Sequence, residues 1–473
     1  MSANVRPYLF YDTTVSLCST CYRKVEGKIV FEDGCVYLLK RCAHHGFERV
    51  LISDDIAYYR LTREVFIKPP EMPQYFQTPI KYGCPYDCGL CPDHEQHSCL
   101  TLIEITDHCN LRCPICYSAS GPHRPEFRSL AVIEDMLDMI VRSELHPDVV
   151  QISGGEPTLH PDFFAILDAA KRRPIKHLMV NTNGVKIAQD EEFAKRLASY
   201  MPDFEIYLQF DSLRREPLEV LRGADLREVR KRAMERLNRL GLSTTLVVTV
   251  QRGLNDGELG AIIDYAVEQP CVRGVTIQPI QAAGRLDGYD PAQHRMTVSE
   301  VRRRITEQTD KFALADIIPV PCHPDSLAMA YGLKIDGKLM PLTGLVPPQV
   351  LIEGGRNTVV FESDEGFRAQ LFKTFATNHS PSSAANCLSE LLCCLPLIDA
   401  PAKLTYSSVF RVLILQFIDA HSFETRSIKK TCIHFATPDG RLIPFDTYNM
   451  FYRDGLERER LEPLRRELVQ VGN

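Results

Sequence analysis

No stretch of this 473-residue sequence approaches eighteen consecutive apolar residues, the length that marks a helix crossing a bilayer, so no membrane-spanning helix is expected. Residues 1–10 lack an apolar run of signal-peptide length, so the chain is expected in a reducing cytoplasm, with a peripheral contact at the inner membrane surface as the alternative. An excess of basic residues is also missing. Fifty-five Lys and Arg against 61 Asp and Glu leave a formal net charge of -6, which gives no footprint for nucleic acid. Hydrophobic residues at 44% and charged residues at 25% describe an ordinary globular chain, long enough for about three domains. Cysteine is the residue not in short supply. There are 17, and in a reducing compartment clustered cysteines signify metal rather than disulfides.

The chain is organised around residues 102–117. Ile103-Glu104-Ile105-Thr106 alternates like a strand and runs into Cys109-x-x-x-Cys113-x-x-Cys116, three thiols within eight residues. Three thiolates on one tight loop can hold three corners of a 4Fe-4S cube, and the fourth iron then stays open to a ligand that is not protein. A structural zinc loop or an electron-transfer cluster is the plainer alternative. Cys84, Cys88 and Cys91 repeat the same spacing upstream; with Cys99 as a possible fourth ligand they suit a closed auxiliary 4Fe-4S cluster, or zinc. The open cube is assigned to the second triplet because only that one follows a strand and precedes the strand that ends in Gly154-Gly155-Glu156-Pro157. Near the amino terminus, Cys18-x-x-Cys21 with Cys35 and Cys42 makes a four-thiolate site for zinc or a single rubredoxin-like iron; His44 and His45 are alternative donors, although a neighbouring pair beside Gly46 is more often a solvated turn. Late in the chain Cys322 stands in Pro321-Cys-His-Pro-Asp325, followed by Cys387, Cys393, Cys394 and Cys432. Cys322, Cys394 and Cys432 are the preferred ligands of a second auxiliary cluster, against the reading that they are buried free thiols. Cys271 reads as core.

Between residues 101 and 280 strands and helices alternate. Strands are expected at 101–106, 149–153, 177–182, 205–210, 244–250 and 274–279, with helical patterns between them. Six such units predict an α/β fold: a partial (β/α)6 TIM-type barrel whose chemistry lies at the carboxyl ends of its strands. The expected domains are a small Cys-rich metal-binding unit (1–75), an auxiliary iron-sulfur segment (76–100), the barrel core (101–285) and an α+β carboxyl-terminal region (286–473), with proline-rich 68–79 as a linker. After strand two, Gly154 and Gly155 let backbone approach a ligand and Glu156 can accept from an ammonium group. Gln209 and Asp211, two residues apart, can both point into the barrel. Gln278 is a candidate to face a substrate; Arg285 is either a site residue or a surface charge. Residues 387–420 are the most apolar part of the late region and fit ordinary core, a hydrophobic tunnel or a membrane-facing patch.

Cys109-x-x-x-Cys113-x-x-Cys116 followed by Gly154-Gly155-Glu156-Pro157 resembles the radical S-adenosylmethionine (SAM) superfamily. That resemblance implies that SAM chelates the open iron and is split by one electron to a 5'-deoxyadenosyl radical. It also implies that Gly154, Gly155, Glu156, Asn183, Gln209 and Asp211 contact the cofactor, with a turn residue or an internal polar bridge as the equal alternative for Asn183 and Gln209. The family places an aromatic just before the third cysteine; Ile115 stands there, and Tyr117 is expected to cover the adenine instead. The order of parts along the whole chain, from the four-cysteine knuckle to Gln151-Ile-Ser-Gly-Gly-Glu-Pro-Thr158, Leu208-Gln-Phe-Asp-Ser212 and the Cys-His-Pro-Asp loop, is similar to the tetraether synthases of archaea and their bacterial relatives, also described as pterin-directed radical SAM methylases. It implies a SAM cluster, one or two auxiliary clusters, a mononuclear iron or zinc, and a reducing partner such as ferredoxin or flavodoxin. Relatives tend to carry a cysteine where Asp446 stands, so a late cluster is expected to be absent or differently held. The function expected first is hydrogen abstraction from a lipid chain with C–C coupling. The alternatives are radical methylation of a pterin-like or other small molecule, and a non-catalytic iron-sulfur electron carrier.

Overall fold

The computed structural model describes residues 6–335, 337–345, 348–353 and 408–471; Cys387, Cys393 and Cys394 lie outside these. The chain opens with an antiparallel meander of β1 (Leu9–Leu17), β2 (Lys24–Glu32), β3 (Cys35–Cys42) and β4 (Gly46–Ser53) in the order of the sequence. Asp33 and Gly34 join β2 to β3 with φ of 51° and 78°, the two positive values that a tight hairpin turn requires. Up-and-down order puts the β1–β2 and β3–β4 loops at one end of the meander and the β2–β3 turn at the other.

The remaining strands are β5 (Leu100–Glu104), β6 (Ile115–Cys116), β7 (Val149–Ser153), β8 (His177–Thr182), β9 (Phe204–Gln209), β10 (Thr244–Val250), β11 (Val272–Pro279), β12 (Arg285–Leu286), β13 (Ile318–Pro319), β14 (Leu327–Ile335), β15 (Lys338–Pro341), β16 (Val409–Leu415), β17 (Ile433–Ala436) and β18 (Leu442–Pro444). Twelve of them form one sheet in the order β13-β14-β16-β11-β10-β9-β8-β7-β5-β17-β18, with β15 on β14. The six expected strands β5 and β7–β11 pair in parallel, as the partial barrel requires. Two more parallel strands flank them, β16 on β11 and β17 on β5. The late region therefore completes the barrel wall rather than standing apart at residue 286. β16 takes up part of the apolar late run, and its Phe410, Val412 and Ile414 are buried in core.

Alternation along each strand separates two faces. Ile103, Ile152, Val180, Leu208, Val248 and Ile277 point outward into the core under the helices. On the helix Leu130–Glu144, Ile133, Met136, Leu137 and Ile140 recur at helical spacing on its buried side, and Ser129 Oγ caps it by accepting from the Val132 N–H at 3.4 Å. The opposite strand face lines the barrel interior. A second core joins the two ends of the sheet, with Val320, Leu327, Met329 and Leu415 from one end against Leu102, Ile433, Phe435 and Phe445 from the other. Among the described residues no helix is long and apolar enough to cross a membrane.

Candidate active site and metal centres

Each of the eight parallel strands sends at least one side chain into a single interior cavity of about 1200 Å³, part of it open to solvent. Leu102, Gln151, Asn181, Tyr207, Gln209, Val247, Thr249, Gln278, Leu415 and Ile433 form the wall, and Cys109, Cys113 and Cys116 border the cavity at the carboxyl ends of the strands.

The cysteine loop is fixed by its neighbours. β6 within it pairs with β12, Arg285 opposite Cys116, and Arg285 donates to the carbonyls of Cys113 (2.6 Å) and Ser120 (2.9 Å). Arg285 is thus neither a surface charge nor a substrate ligand; it is the clasp of the loop. Gly154 and Gly155 border the cavity, but the approach they permit is of chain on chain: a Cβ there would collide with the carbonyls of Thr106 and His108. The Gly155 N–H donates to Thr106 O and the Glu156 N–H to His108 O, both at 2.8 Å, so the loop after β7 is sewn onto the loop after β5.

Three expected cofactor contacts are committed elsewhere. Glu156 is buried, and its carboxylate accepts from Thr158 Oγ1 (2.6 Å), Thr182 Oγ1 (2.7 Å) and the Asn183 N–H (2.7 Å), which leaves it outside the cavity wall. Burial raises its carboxyl above the ordinary range against these donors. Asn183 is a buried turn residue that accepts from the Val185 N–H at 3.0 Å and donates to Asn110 Oδ1 of the cysteine loop at 2.7 Å. Asp211 leaves the strand alternation at a φ of 66°, and its side chain forms a two-point pair with Arg222 at 2.7 and 2.5 Å. Burial pushes that carboxyl up, but the Arg222 guanidinium outweighs it and holds it below the usual range. Gln209 and Tyr117 do border the cavity; Tyr117 is braced edge-on by Phe445 at 5.2 Å and by the Arg453 guanidinium at 5.4 Å.

Arg222 is the residue that the sequence reading missed. It borders the cavity, stands beside Cys113 and donates to Thr249 Oγ1 at 2.8 Å. Among the many arginines of residues 214–239 nothing in the sequence distinguishes it. Burial pushes the Cys109 thiol up to about 12 and raises Cys113 too, where Arg222 opposes it, so loading with iron must displace protons from these thiols.

Donor spacing divides the cysteines into two kinds. A zinc-like ion with bonds of about 2.3 Å to sulfur and about 2.05 Å to nitrogen sets tetrahedral edges of about 3.8 Å between sulfurs and about 3.6 Å between sulfur and nitrogen. Cys18, Cys21, Cys42 and His45 have all four donor atoms within 4.8 Å of one another. Cys21–Cys42 measures 3.8 Å, and both Cys18–His45 and Cys42–His45 measure 3.5 Å. This set fits one tetrahedral ion with His45 as the fourth donor. Cys35 is excluded because it begins β3 at the far end of the meander, seven residues and roughly 23 Å of strand from Cys42.

Neither cysteine triplet has its three sulfurs within that mutual distance, so neither is drawn up around a single ion. Cys84, Cys88 and Cys91 border a smaller cavity of about 380 Å³ with Asp93, His94 and Lys429. Cys99 is not among them. It lies instead with Cys322 and Cys432, all three buried and mutually within 4.8 Å. Cys394 is outside the described residues, and Asp446 is spoken for, accepting from the Ile418 N–H at 2.5 Å and Thr431 Oγ1 at 2.9 Å.

The first strand of this parallel barrel runs into a loop that sets three thiols, Cys109, Cys113 and Cys116, at the border of the interior. Residues 103–266 match the radical SAM superfamily, and the chain carries a radical SAM domain; residues 10–54 match the HMPTM N-terminal zinc ribbon domain. Over 95% of its length, and 96% of the relative's, the chain is 29% identical to a 7,8-dihydro-6-hydroxymethylpterin dimethyltransferase of Methanocaldococcus jannaschii. A mycofactocin maturase, MftC, of Mycobacterium ulcerans is 34% identical over 34% of this chain and 42% of its own. Among solved structures, Streptococcus suis SuiB bound to S-adenosylmethionine is 18% identical with a TM-score of 0.37, covering 45% of this chain and 47% of that one. The radical SAM domain implies SAM and a 4Fe-4S cluster as cofactors, and the remaining cysteine groups and the zinc ribbon imply auxiliary metal sites.

Proposed function

We propose that this radical SAM enzyme methylates a small, planar, nitrogen-rich molecule of the pterin kind, with Cys109, Cys113 and Cys116 as the ligands of the SAM cluster. Bound there, the cluster supplies the electron that splits SAM. Gly154, Gly155, Gln209 and Tyr117 border the space the cofactor would occupy, and Arg222 offers a fixed positive charge beside the cluster loop. A one-electron donor such as ferredoxin or flavodoxin belongs to the same reading.

The observation that carries the substrate class is the run of carboxamides across the barrel interior. Gln151, Asn181, Gln209 and Gln278 project from four different strands into the cavity. Gln278 Nε2 donates to the Tyr207 hydroxyl at 3.1 Å and Asn181 Nδ2 to Ser153 Oγ at 3.3 Å, while Asn181 Oδ1 is buried without a hydrogen-bond partner. Turning that amide over would only exchange which of its two polar atoms is unmatched. A buried unmatched amide costs about 1–3 kcal/mol, and a ligand edge carrying both donors and acceptors relieves it. An alkyl chain cannot, and would leave further carboxamides desolvated. The apolar wall of Leu102, Leu415, Phe417, Ile433 and Phe445 suits the face of a ring. This supports the methylase alternative over lipid coupling, in line with the pterin-directed relative that matches nearly the whole chain.

The test is anaerobic turnover with SAM and dithionite, offering 7,8-dihydro-6-hydroxymethylpterin or phospholipid. Methylated pterin, with lipid recovered unchanged, is the expected result; coupled alkyl chains with untouched pterin would overturn the proposal.

A further inference from the structure

We propose that Cys99, Cys322 and Cys432 bind a single divalent ion of the zinc class, a second mononuclear site in addition to the ribbon, and that this ion clasps the two ends of the open sheet. The three thiols are 0–2% exposed and come from segments more than 100 residues apart, so nothing local in the sequence forces them together. Their donor atoms all lie within 4.8 Å of one another, and Cys322–Cys432 measures 3.8 Å, the same edge as Cys21–Cys42 in the ribbon. The Cys-x-x-x-Cys-x-x-Cys triplets elsewhere in the chain do not close to this distance. Three soft thiolates select zinc or a similar thiophilic ion.

The surroundings are those of a ligand set rather than of packing alone. Cys99 Sγ faces Gln96 Nε2 and His97 Nε2, each at 3.8 Å, and His97 is itself held by Glu144 through Nδ1 at 2.9 Å. A polar ring aimed at the sulfur and oriented by a carboxylate is the support that metal-bound thiolates receive. Position gives the ion a task. Cys322 lies between β13 and β14 at one end of the sheet, whereas Cys99 and Cys432 immediately precede β5 and β17 at the other. Among the described residues no strand pairing joins these ends, and the core that contains the three thiols is where they meet. An ion there fastens the barrel wall where hydrogen bonds do not.

The experiment counts metal and acid-labile sulfide in the full chain purified without oxygen. Non-cluster metal is zinc plus any iron in excess of labile sulfide. The wild type should hold two equivalents; Cys322→Ser and Cys432→Ala should each lose one with labile sulfide unchanged, Cys42→Ser should lose the other, and Cys35→Ala neither. Cobalt supplied in place of zinc to Cys42→Ser should show the thiolate-to-metal absorption of one tetrahedral site, which keeps the idea testable if the triad variants fail to fold. Labile sulfide falling with the triad cysteines would mean a cube there. An unchanged metal count in the triad variants, or cobalt-treated Cys42→Ser without a tetrahedral spectrum, would mean no ion at all. Either result overturns the proposal.

Discussion

Two loops in this chain share the spacing Cys-x-x-x-Cys-x-x-Cys and share little else. The first is bolted to the carboxyl-terminal end of the chain: the Cys88 N–H donates to the Tyr452 hydroxyl at 2.9 Å, and Arg465 donates twice to Tyr86 O at 2.9 and 2.6 Å. One carboxylate, Asp87, gathers the N–H groups of Lys81, Tyr82 and Gly83. The second loop is bolted to the barrel by Arg285 and the Gly154-Gly155 turn, and it borders the large cavity where the first borders a small one. Spacing decides that a loop can hold a cube. The wall it is fastened to decides whether the cube has anything to react with.

The sharpest way to break this comparison is to remove one thiol from each loop. Cys113→Ala should reduce 5'-deoxyadenosine formation below detection, whereas Cys88→Ala should leave SAM cleavage measurable; equal losses would erase the distinction. Next in size is Asp211→Asn, which leaves the buried Arg222 without its carboxylate beside the second loop and should cost about 3–5 kcal/mol in thermal or urea unfolding. A change under about 1 kcal/mol would mean that solvent reaches the pair. Gly155→Ala drives a methyl into the His108 carbonyl and should cost about 1–3 kcal/mol, with iron lost from the second loop only. If iron is lost equally from both loops, the two are not independently supported.

The smallest expected effect concerns pH. Burial pushes the Asp446 carboxyl up to about 7, above its unfolded value, against the donors Ile418 N–H and Thr431 Oγ1. The folded chain therefore holds this proton more tightly than the unfolded chain does. The stability it contributes is whole below about pH 4 and is lost as pH rises through about 7. Asp446→Asn should flatten that part of the melting profile between about pH 5 and pH 8; an unaltered slope would assign it to another group.

Local chemistry was legible in the sequence and convergence was not. The alternation of β5 and β7–β11 and the two triplets announce themselves within windows of ten residues. β16 and β17 could not be placed, because their partners β11 and β5 lie more than 100 and 300 residues away. For the same reason Cys99 was grouped with its neighbour in sequence, Cys91, rather than with Cys322 and Cys432. His45 was visible as an alternative donor; what favours it over Cys35 is the up-and-down order of four strands, which puts the two at opposite ends. Asp211 was misjudged because strand alternation was extended past Gln209, where the positive φ breaks it.

As proposed, a cube on Cys109, Cys113 and Cys116 would keep one iron for SAM, whereas a cube on the first loop would not. Electron paramagnetic resonance of the reduced protein with and without SAM tests it most directly, read in wild type, Cys88→Ala and Cys113→Ala. The account predicts a cluster signal that shifts on adding SAM in wild type and in Cys88→Ala and is missing from Cys113→Ala. A SAM-sensitive signal that survives in Cys113→Ala and vanishes in Cys88→Ala would contradict it.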